Sequence, residues 1–318
     1  PRLPISGAAY WTSFTLDEPN RILYVPTGNP APDFDTELRK GDNLYSNSVI
    51  ALSSGSGRML AWNQLMKRDN HDWDVDTPPT LVTTRSGRSI VASANKDGLL
   101  SILDRSRVTH GQSDPALTLQ LISQTPTTTR LNANVPLSRT HSTHFCPGIQ
   151  GGAEWNGAAY SPQTNSLYTA AVDWCANVQL KRDTINIPAP SAGFWFGAET
   201  PLAKIQDPPA RAKGWFTSFD AENGSVRWKY QAGHPMLAAV TPTAGGVVFA
   251  ADLGGQLYAF DASTGRVLWQ TNAGQSVGGG IVTYMAGGQQ LVGVASGMKS
   301  PVWPGASTQS RILVLGLR

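Results

Sequence analysis

Six consecutive residues, His71-Asp72-Trp73-Asp74-Val75-Asp76, place three carboxylates at alternate positions in a chain of which only 15% is charged. In an extended segment, side chains at i and i+2 face the same way. Asp74 and Asp76 could therefore reach one cation, and carboxylate and amide oxygens are the ligands that hard cations take. A positioned carboxylate can equally serve as a general base. A solvated surface turn has the same composition, so the pattern by itself leaves three readings open. Two other residues carry chemistry of the same kind. Asn29 lies in "TGNPAP", whose prolines stiffen the loop that follows it. Lys96 lies in "NKDG", 22 residues after Asp74. Each also reads as an ordinary turn residue when taken alone.

The elements that would hold such residues are short strands. The 318 residues include 32 Gly, 22 Pro and ten Trp, high for a helical protein. No window shows a long helical stripe. Two segments repeat at an offset of 41: "SFDAENGSVRWKYQAG" from Ser218 and "AFDASTGRVLWQTNAG" from Ala259, with Asp220 on Asp261, Gly224 on Gly265 and Trp228 on Trp269. Each reads as strand, Asp-x-x-x-Gly turn and strand ending in Trp. A period near 40 with about four strands per unit is a propeller signature. A looser copy, "VIALSSGSGRMLAW", ends at Trp62, and a shortened one, "LLSILDRSR", covers Leu99 to Arg107. The expectation is an all-β propeller of four to five blades, with each motif Trp packed between neighbouring blades. Residues 107–145 and 180–213 lack the repeat and read as long connections.

The net charge of +3 and the absence of a Lys/Arg run argue against nucleic acid as the partner. No apolar run approaches the roughly 18 residues of a membrane span. The opening "PRLPISGAAYW" has neither a start Met nor a signal peptide and reads as a cut within a longer protein or after an earlier segment. Cys146 and Cys175 form no CxxC or CxxCH, so no c-type haem is expected on this chain. They could be one disulfide or two free thiols. "HSTHFC" (His141, His144, Cys146) has no second Cys/His pair at zinc spacing.

The repeat resembles the tryptophan-docking motif of quinoprotein dehydrogenases. Further stretches agree with that family in order: "WTSFTLDEPNRILYVPTGNPAP" (Trp11–Pro32), "GDNLYSNSVIAL" (Gly41–Leu52), "HDWDVD", "ANKDGLLSILDR" (Ala94–Arg105), "GGAEWNGAAYSP" (Gly151–Pro162) and "TAGGVVFAADLGGQLYAFDASTGRVLW" (Thr243–Trp269). They resemble the second half of a methanol/ethanol-type dehydrogenase using pyrroloquinoline quinone (PQQ), an eight-bladed propeller. The resemblance implies oxidation of a small alcohol by hydride transfer to PQQ, with a metal ion as Lewis acid. It implies Asp74 as catalytic base, Trp11 stacked on the cofactor, Lys96 bonded to the quinone oxygens, and Asn29, Asp74 and Asp76 as metal ligands. An Asp at position 76 resembles the lanthanide-using branch of the family more than the calcium-using one.

Departures accompany the match. "HDWDVD" is one residue shorter than the common pattern before Trp73. Glu154 and Trp155 fall where relatives often show Asn-Trp at the cofactor's rim; a carboxylate there would repel an anionic cofactor unless paired. "HPMLAAV" (His234–Val240) lacks a Trp that many relatives carry. The resemblance also implies a periplasmic setting, which favours a Cys146–Cys175 disulfide. It implies an external cytochrome c or quinone as electron acceptor and a first half of the propeller supplying a Glu metal ligand and a ring of adjacent cysteines. A homodimer is compatible. Alone, the chain is expected to bind quinone weakly and to be inactive. Two other readings have different consequences: a dehydrogenase of the polyvinyl-alcohol type, and a non-enzymatic propeller scaffold. The scaffold has no need for Asn29, Asp74 and Lys96 together.

Overall fold

A computed structural model describes residues 7–111, 117–182, 196–305 and 309–316. The Asp-x-x-x-Gly turns set the repeating geometry. The N–H of Gly224 bonds the carbonyl of Asp220 at 2.8 Å, and that of Gly265 bonds Asp261 at 2.9 Å. Both glycines have positive φ (+76° and +73°), which side chains rarely adopt. Each turn closes a hairpin whose register slips by one residue beside it, at Ser218/Phe219 and Ala259/Phe260. The same slip recurs at Ala51/Leu52 and Ile102/Leu103, so the looser copies fold as the repeat does.

Four antiparallel four-stranded sheets result. The first joins Thr15–Asp17, Ile22–Pro26, Ser48–Ser53 and Met59–Gln64 (β1–β4). The second joins Thr80–Thr83, Ser89–Ala94, Leu99–Asp104 and Gln120–Pro126 (β5–β8). Thr143–Phe145 (β9) and Ala176–Val178 (β12) form a separate two-stranded antiparallel pair, and the third sheet runs Ala159–Ser161, Ser166–Asp173, Lys213–Asp220 and Val226–Ala232 (β10, β11, β13, β14). The fourth runs Thr241–Pro242, Val247–Ala251, Gln256–Asp261 and Val267–Asn272 (β15–β18). Ile281–Ala286, Gln289–Ser296 and Arg311–Gly316 (β19–β21) form a three-stranded sheet. The first strands β1, β5, β10, β15 and β19 touch in that order, as the inner strands of adjacent blades do. Helical structure among the described residues is limited to single 3-10 turns. The propeller expectation is met, with five blades.

The core is a series of layers between sheets. Ile22, Tyr24, Val49 and Leu60 meet Val91 and Leu103; Ile90, Leu100 and Ile102 meet Leu167 and Phe219. Tyr168 and Phe216 meet Val248 and Phe260, and Leu257 meets Ile281 and Val294. Full burial of each such side chain stabilises by roughly 1.5–3 kcal/mol. A further cluster of Phe34, Trp73, Phe145, Ile149 and Ile205 lies among the connections and holds the acidic segment.

Two expectations need correction. Trp228 docks as read: its indole N–H bonds the Ala262 carbonyl at 3.1 Å, and a Cβ on Gly265 would come within 2.6 Å of its ring. Trp269 does not dock; it is 44% exposed, because the sheet that follows has three strands among the described residues and so lacks the turn between third and fourth strands that receives Trp228 in the fourth blade. The span 107–145 also contains a regular strand, β8, the outer strand of the second blade. Its Thr- and Gln-rich sequence carries no Trp and no Asp-x-x-x-Gly turn, and its side chains are largely solvent-facing, so neither signal marks it.

Candidate active site

Asp74 stands at the centre of the site. Its Oδ1 accepts the backbone N–H of Asn29 at 2.8 Å and its Oδ2 accepts Lys96 Nζ at 2.9 Å. The backbone repeats the tie, with Lys96 N–H donating to the Asp74 carbonyl at 3.2 Å. A Cβ on Gly28 would collide with Asp74 Oδ1, so the glycine before Asn29 permits the close approach. Asn29 spends its Nδ2 on Asp33 (2.9 Å), which leaves its amide oxygen as the atom that could meet a cation. The two prolines of "TGNPAP" flank that arrangement.

Lys96 is 6% exposed and anchors the cluster electrostatically. Burial alone would lower its pKa, but Asp72, Asp74, Glu154 and Asp76 around it hold the ammonium well above its ordinary range. Asp72 lies 3.8 Å from Nζ. It adopts φ +62°, a left-handed turn that Asp tolerates, and that turn accommodates the shortened segment. Asp76 is 2% exposed, and neither of its carboxylate oxygens has a hydrogen-bond partner. Burial, then Glu154 and Asp74, push its pKa well above the carboxylate range.

The remaining candidates sit at the margins. Residues 7–9 lie against the Asn29 loop: Ala8 N–H bonds the Asn29 carbonyl at 2.6 Å and Gly28 N–H bonds that of Ala9 at 2.9 Å. This places Trp11 just beyond the site, 48% exposed. Glu154 is buried, and burial pushes it up to about 8. Trp155 packs edge-on to Trp303 and bonds the Gly278 carbonyl at 3.2 Å, so it also ties the third blade to the fifth.

Sequence reasoning missed Asp33 and Asp69. Asp33 follows Asn29 by four residues, and burial lifts it to about 6. Asp69 caps the acidic segment, accepting the N–H groups of His71 (3.2 Å) and Trp73 (3.1 Å). Trp73 is packing, as read: its ring stacks on His71 with centroids 4.1 Å apart, and its N–H bonds the Pro147 carbonyl at 3.1 Å. Beside this stack a cavity of about 530 Å³ is lined by Asp69, His71, Trp73, Asp97 and Arg130. Cys146 and Cys175 are joined as a disulfide. His144 lies near that bond, but both sulfurs are spent, and His144 Nε2 instead meets Asp207 at 3.2 Å.

Asp69 and His71 set opposing pH slopes. Burial pushes Asp69 up to about 7 and His71 down to about 3. Asp69 contributes stability that is full below about pH 4 and lost as pH rises through about 7. His71 contributes stability that is full above about pH 6.5 and lost as pH falls through about 3. Between about pH 4 and 6.5 the two slopes cancel. His71→Phe keeps the stack on Trp73 and should expose the Asp69 slope: from pH 4 to about 6.5 its urea midpoint should fall steadily while the parent's stays flat. Parallel profiles for the two proteins would show that this pair does not set the dependence.

The fold is a β-propeller similar to those of solved quinoprotein-type dehydrogenases. Residues 3–109 match the family model described as "Glucose/ethanol/alcohol dehydrogenase, beta-propeller domain". Residues 212–303 match the model "Outer membrane protein assembly factor BamB". Among curated relatives, the quinoprotein alcohol dehydrogenase PedH of Pseudomonas putida is 27% identical over 94% of this chain and 51% of its own length. The quinohemoprotein alcohol dehydrogenase of Comamonas testosteroni superposes with a TM-score of 0.76 at 25% identity, covering 91% of this chain and 45% of that one. A europium-containing methanol dehydrogenase superposes with a TM-score of 0.75 at 25% identity, covering 92% and 51%. The chain is similar to alcohol and methanol dehydrogenases of the quinoprotein kind and spans about half the length of these proteins. Asn29, Asp74, Asp76 and Lys96 all fall inside the dehydrogenase match, and none of them in the assembly-factor match.

Proposed function

We propose that this chain is the part of a PQQ-dependent alcohol dehydrogenase that carries the base, the quinone-facing ammonium and most of the metal ligands. The observation that carries the reading is the convergence of Asn29, Asp74 and Lys96 within hydrogen-bond distance, beside a buried Asp76 whose oxygens have no partner. Buried carboxylates without donors are costly unless a cation or proton meets them, so the residues fit a bound metal ion. When bound, PQQ supplies a carbon that accepts hydride and the cation a Lewis acid.

The chain's own residues do the rest. Asp74 takes the hydroxyl proton of the alcohol. Lys96 donates to the quinone oxygens and stabilises negative charge there. Trp11, held near by the Ala8 and Gly28 backbone bonds, offers a flat face. Asn29, Asp74 and Asp76 hold the ion. Asp76 and the similarity to a europium-containing enzyme favour a lanthanide over Ca2+. The Cys146–Cys175 disulfide fits an oxidising compartment, and the periplasm is the proposed location. A cytochrome c or quinone outside the chain would take the electrons, and a first propeller half would complete the site. The scaffold alternative rests on the repeat alone, since residues 212–303 contain none of the proposed site residues.

Full-length protein loaded with PQQ and either La3+ or Ca2+ is tested on primary and secondary alcohols with an artificial acceptor. Turnover is expected, faster with La3+. Bound quinone without turnover on any alcohol would end the dehydrogenase reading, and activity with calcium alone would end the lanthanide preference.

A further inference from the structure

The departure at Glu154 has a structural setting. The loop before it runs against the strand end that carries Lys96: Ala153 N–H bonds the Asn95 carbonyl at 3.1 Å. Gly152, at φ +77°, has no room for a side chain, because a Cβ would come within 2.5 Å of the Asn95 carbonyl oxygen and 2.6 Å of that of Lys96. Glu154 is thereby delivered to the same enclosed space as Asp76. It is 4% exposed, and its Oε1 joins both Asp76 oxygens among the buried atoms without a hydrogen-bond partner. Its backbone N–H is engaged by Asn156 at 3.2 Å, which fixes the turn and leaves the carboxylate free.

We infer that Glu154 is a metal ligand, binding with Asp76 the same trivalent cation that Asn29 and Asp74 serve. The inference rests on the metal reading of those residues and adds a ligand to it. Two electrostatically coupled carboxylates, both buried and with three oxygens that lack donors, need positive charge near them. The charge count favours a trivalent ion. Once a cation holds them ionised, the four carboxylates that face Lys96 (Asp72, Asp74, Asp76 and Glu154) exceed its single ammonium by three negative charges. A trivalent ion neutralises them, and a divalent ion leaves one over. Asp33 is a fifth acid that also feels Lys96, its hydrogen bond coming from the neutral Asn29 amide, so it adds to the excess of negative charge and favours the higher-charged ion further. A Glu here therefore serves the cation, and the repulsion expected between it and an anionic cofactor is offset by the ion between them.

Terbium titration of the full-length protein without quinone tests this by Trp-sensitised luminescence, since Trp73 and Trp155 adjoin Asp74 and Glu154 in sequence. The parent should bind one Tb3+, resistant to Ca2+ competition. Glu154→Gln should weaken Tb3+ binding at least tenfold, narrow its advantage over Ca2+, and add about one coordinated water by luminescence lifetimes in H2O and D2O. Glu154→Asp should restore part of the affinity, which a folding defect in the Gln variant would not predict. If the parent binds Tb3+ and Asp76→Asn abolishes binding, but Glu154→Gln keeps the same affinity and hydration, the ligand role of Glu154 is overturned and the metal reading survives. If the parent binds no Tb3+, both fall. An unchanged Tb3+ site together with a higher pH optimum for folding in Glu154→Gln would identify a proton, not a cation, between the two carboxylates, and would also overturn the inference.

Discussion

Asp74→Asn is expected to lower kcat by about 10²–10⁴-fold, the usual worth of a positioned general base, while the protein still binds quinone. The geometry explains why the two effects should separate. An Asn at position 74 keeps an oxygen to accept the Asn29 N–H, now 2.8 Å from Oδ1, so the loop carrying Asn29 keeps its anchor. Gly28 still admits the side chain, which has the same shape. Lys96 loses its 2.9 Å partner but retains Asp72 at 3.8 Å. What is lost is the acceptor for the alcohol proton. The check is kcat with an artificial acceptor, beside quinone content from absorbance of the same preparation. A variant with full quinone content and near-parental kcat would take Asp74 out of the base role and return it to metal binding alone. A variant that loses quinone and turnover together would show that position 74 holds the site's structure before its chemistry.

How far the site could be read from sequence depends on which residues are linked by local geometry. Asn29, Asp74 and Lys96 belong to ordered motifs: Asn29 and Lys96 lie just past the ends of β2 and β6, and Asp74 lies in the connection between the first two blades, so their order along the chain reflects neighbouring blades. The 41-residue repeat was legible for the same reason: a hairpin with an Asp-x-x-x-Gly turn is a local object. Trp228 docks as that motif suggests, yet Trp269 stands exposed in the same motif, because docking depends on the turn of the next blade. Strand β8 was invisible because an outer strand facing solvent needs neither apolar alternation nor a marked turn. Asp72 was in view but unassigned, since its role comes from a left-handed turn and from Lys96 on another blade. Glu154 was visible as a departure, but its neighbour Asp76 lies 78 residues away in sequence, and only the packing of the Gly152 loop on Asn95 and Lys96 brings them together. Asp33 and Asp69 carried no signal beyond being acids near a motif; their burial is a tertiary fact.

Lys96→Met should destabilise the protein by about 3–5 kcal/mol at neutral pH, the range for removing one partner of a buried ion pair. Methionine matches the aliphatic stem of lysine, so packing is largely preserved and the loss isolates the charge. Lys96 is buried and is the one cation that the carboxylates of Asp72, Asp74, Asp76 and Glu154 share. Without it, the negative charges in this space repel one another uncompensated, and the Asp74–Asn29 contact and the backbone bond from residue 96 to Asp74 are left to hold the segment. The same physics predicts the rescue. A lanthanide ion would meet the orphaned oxygens of Asp76 and Glu154 and neutralise the cluster from the other side. La3+ should therefore raise the urea midpoint of Lys96→Met by more than that of the parent, because binding to the folded state alone adds stability by mass action. Lys96→Arg keeps a charge but cannot occupy the compact space of an ammonium, and should fall between the two. Urea midpoints with and without La3+ decide the matter. If Lys96→Met is as stable as the parent and La3+ moves both equally, the carboxylates are already neutral in the folded protein, and the cluster is held by protons in place of a cation.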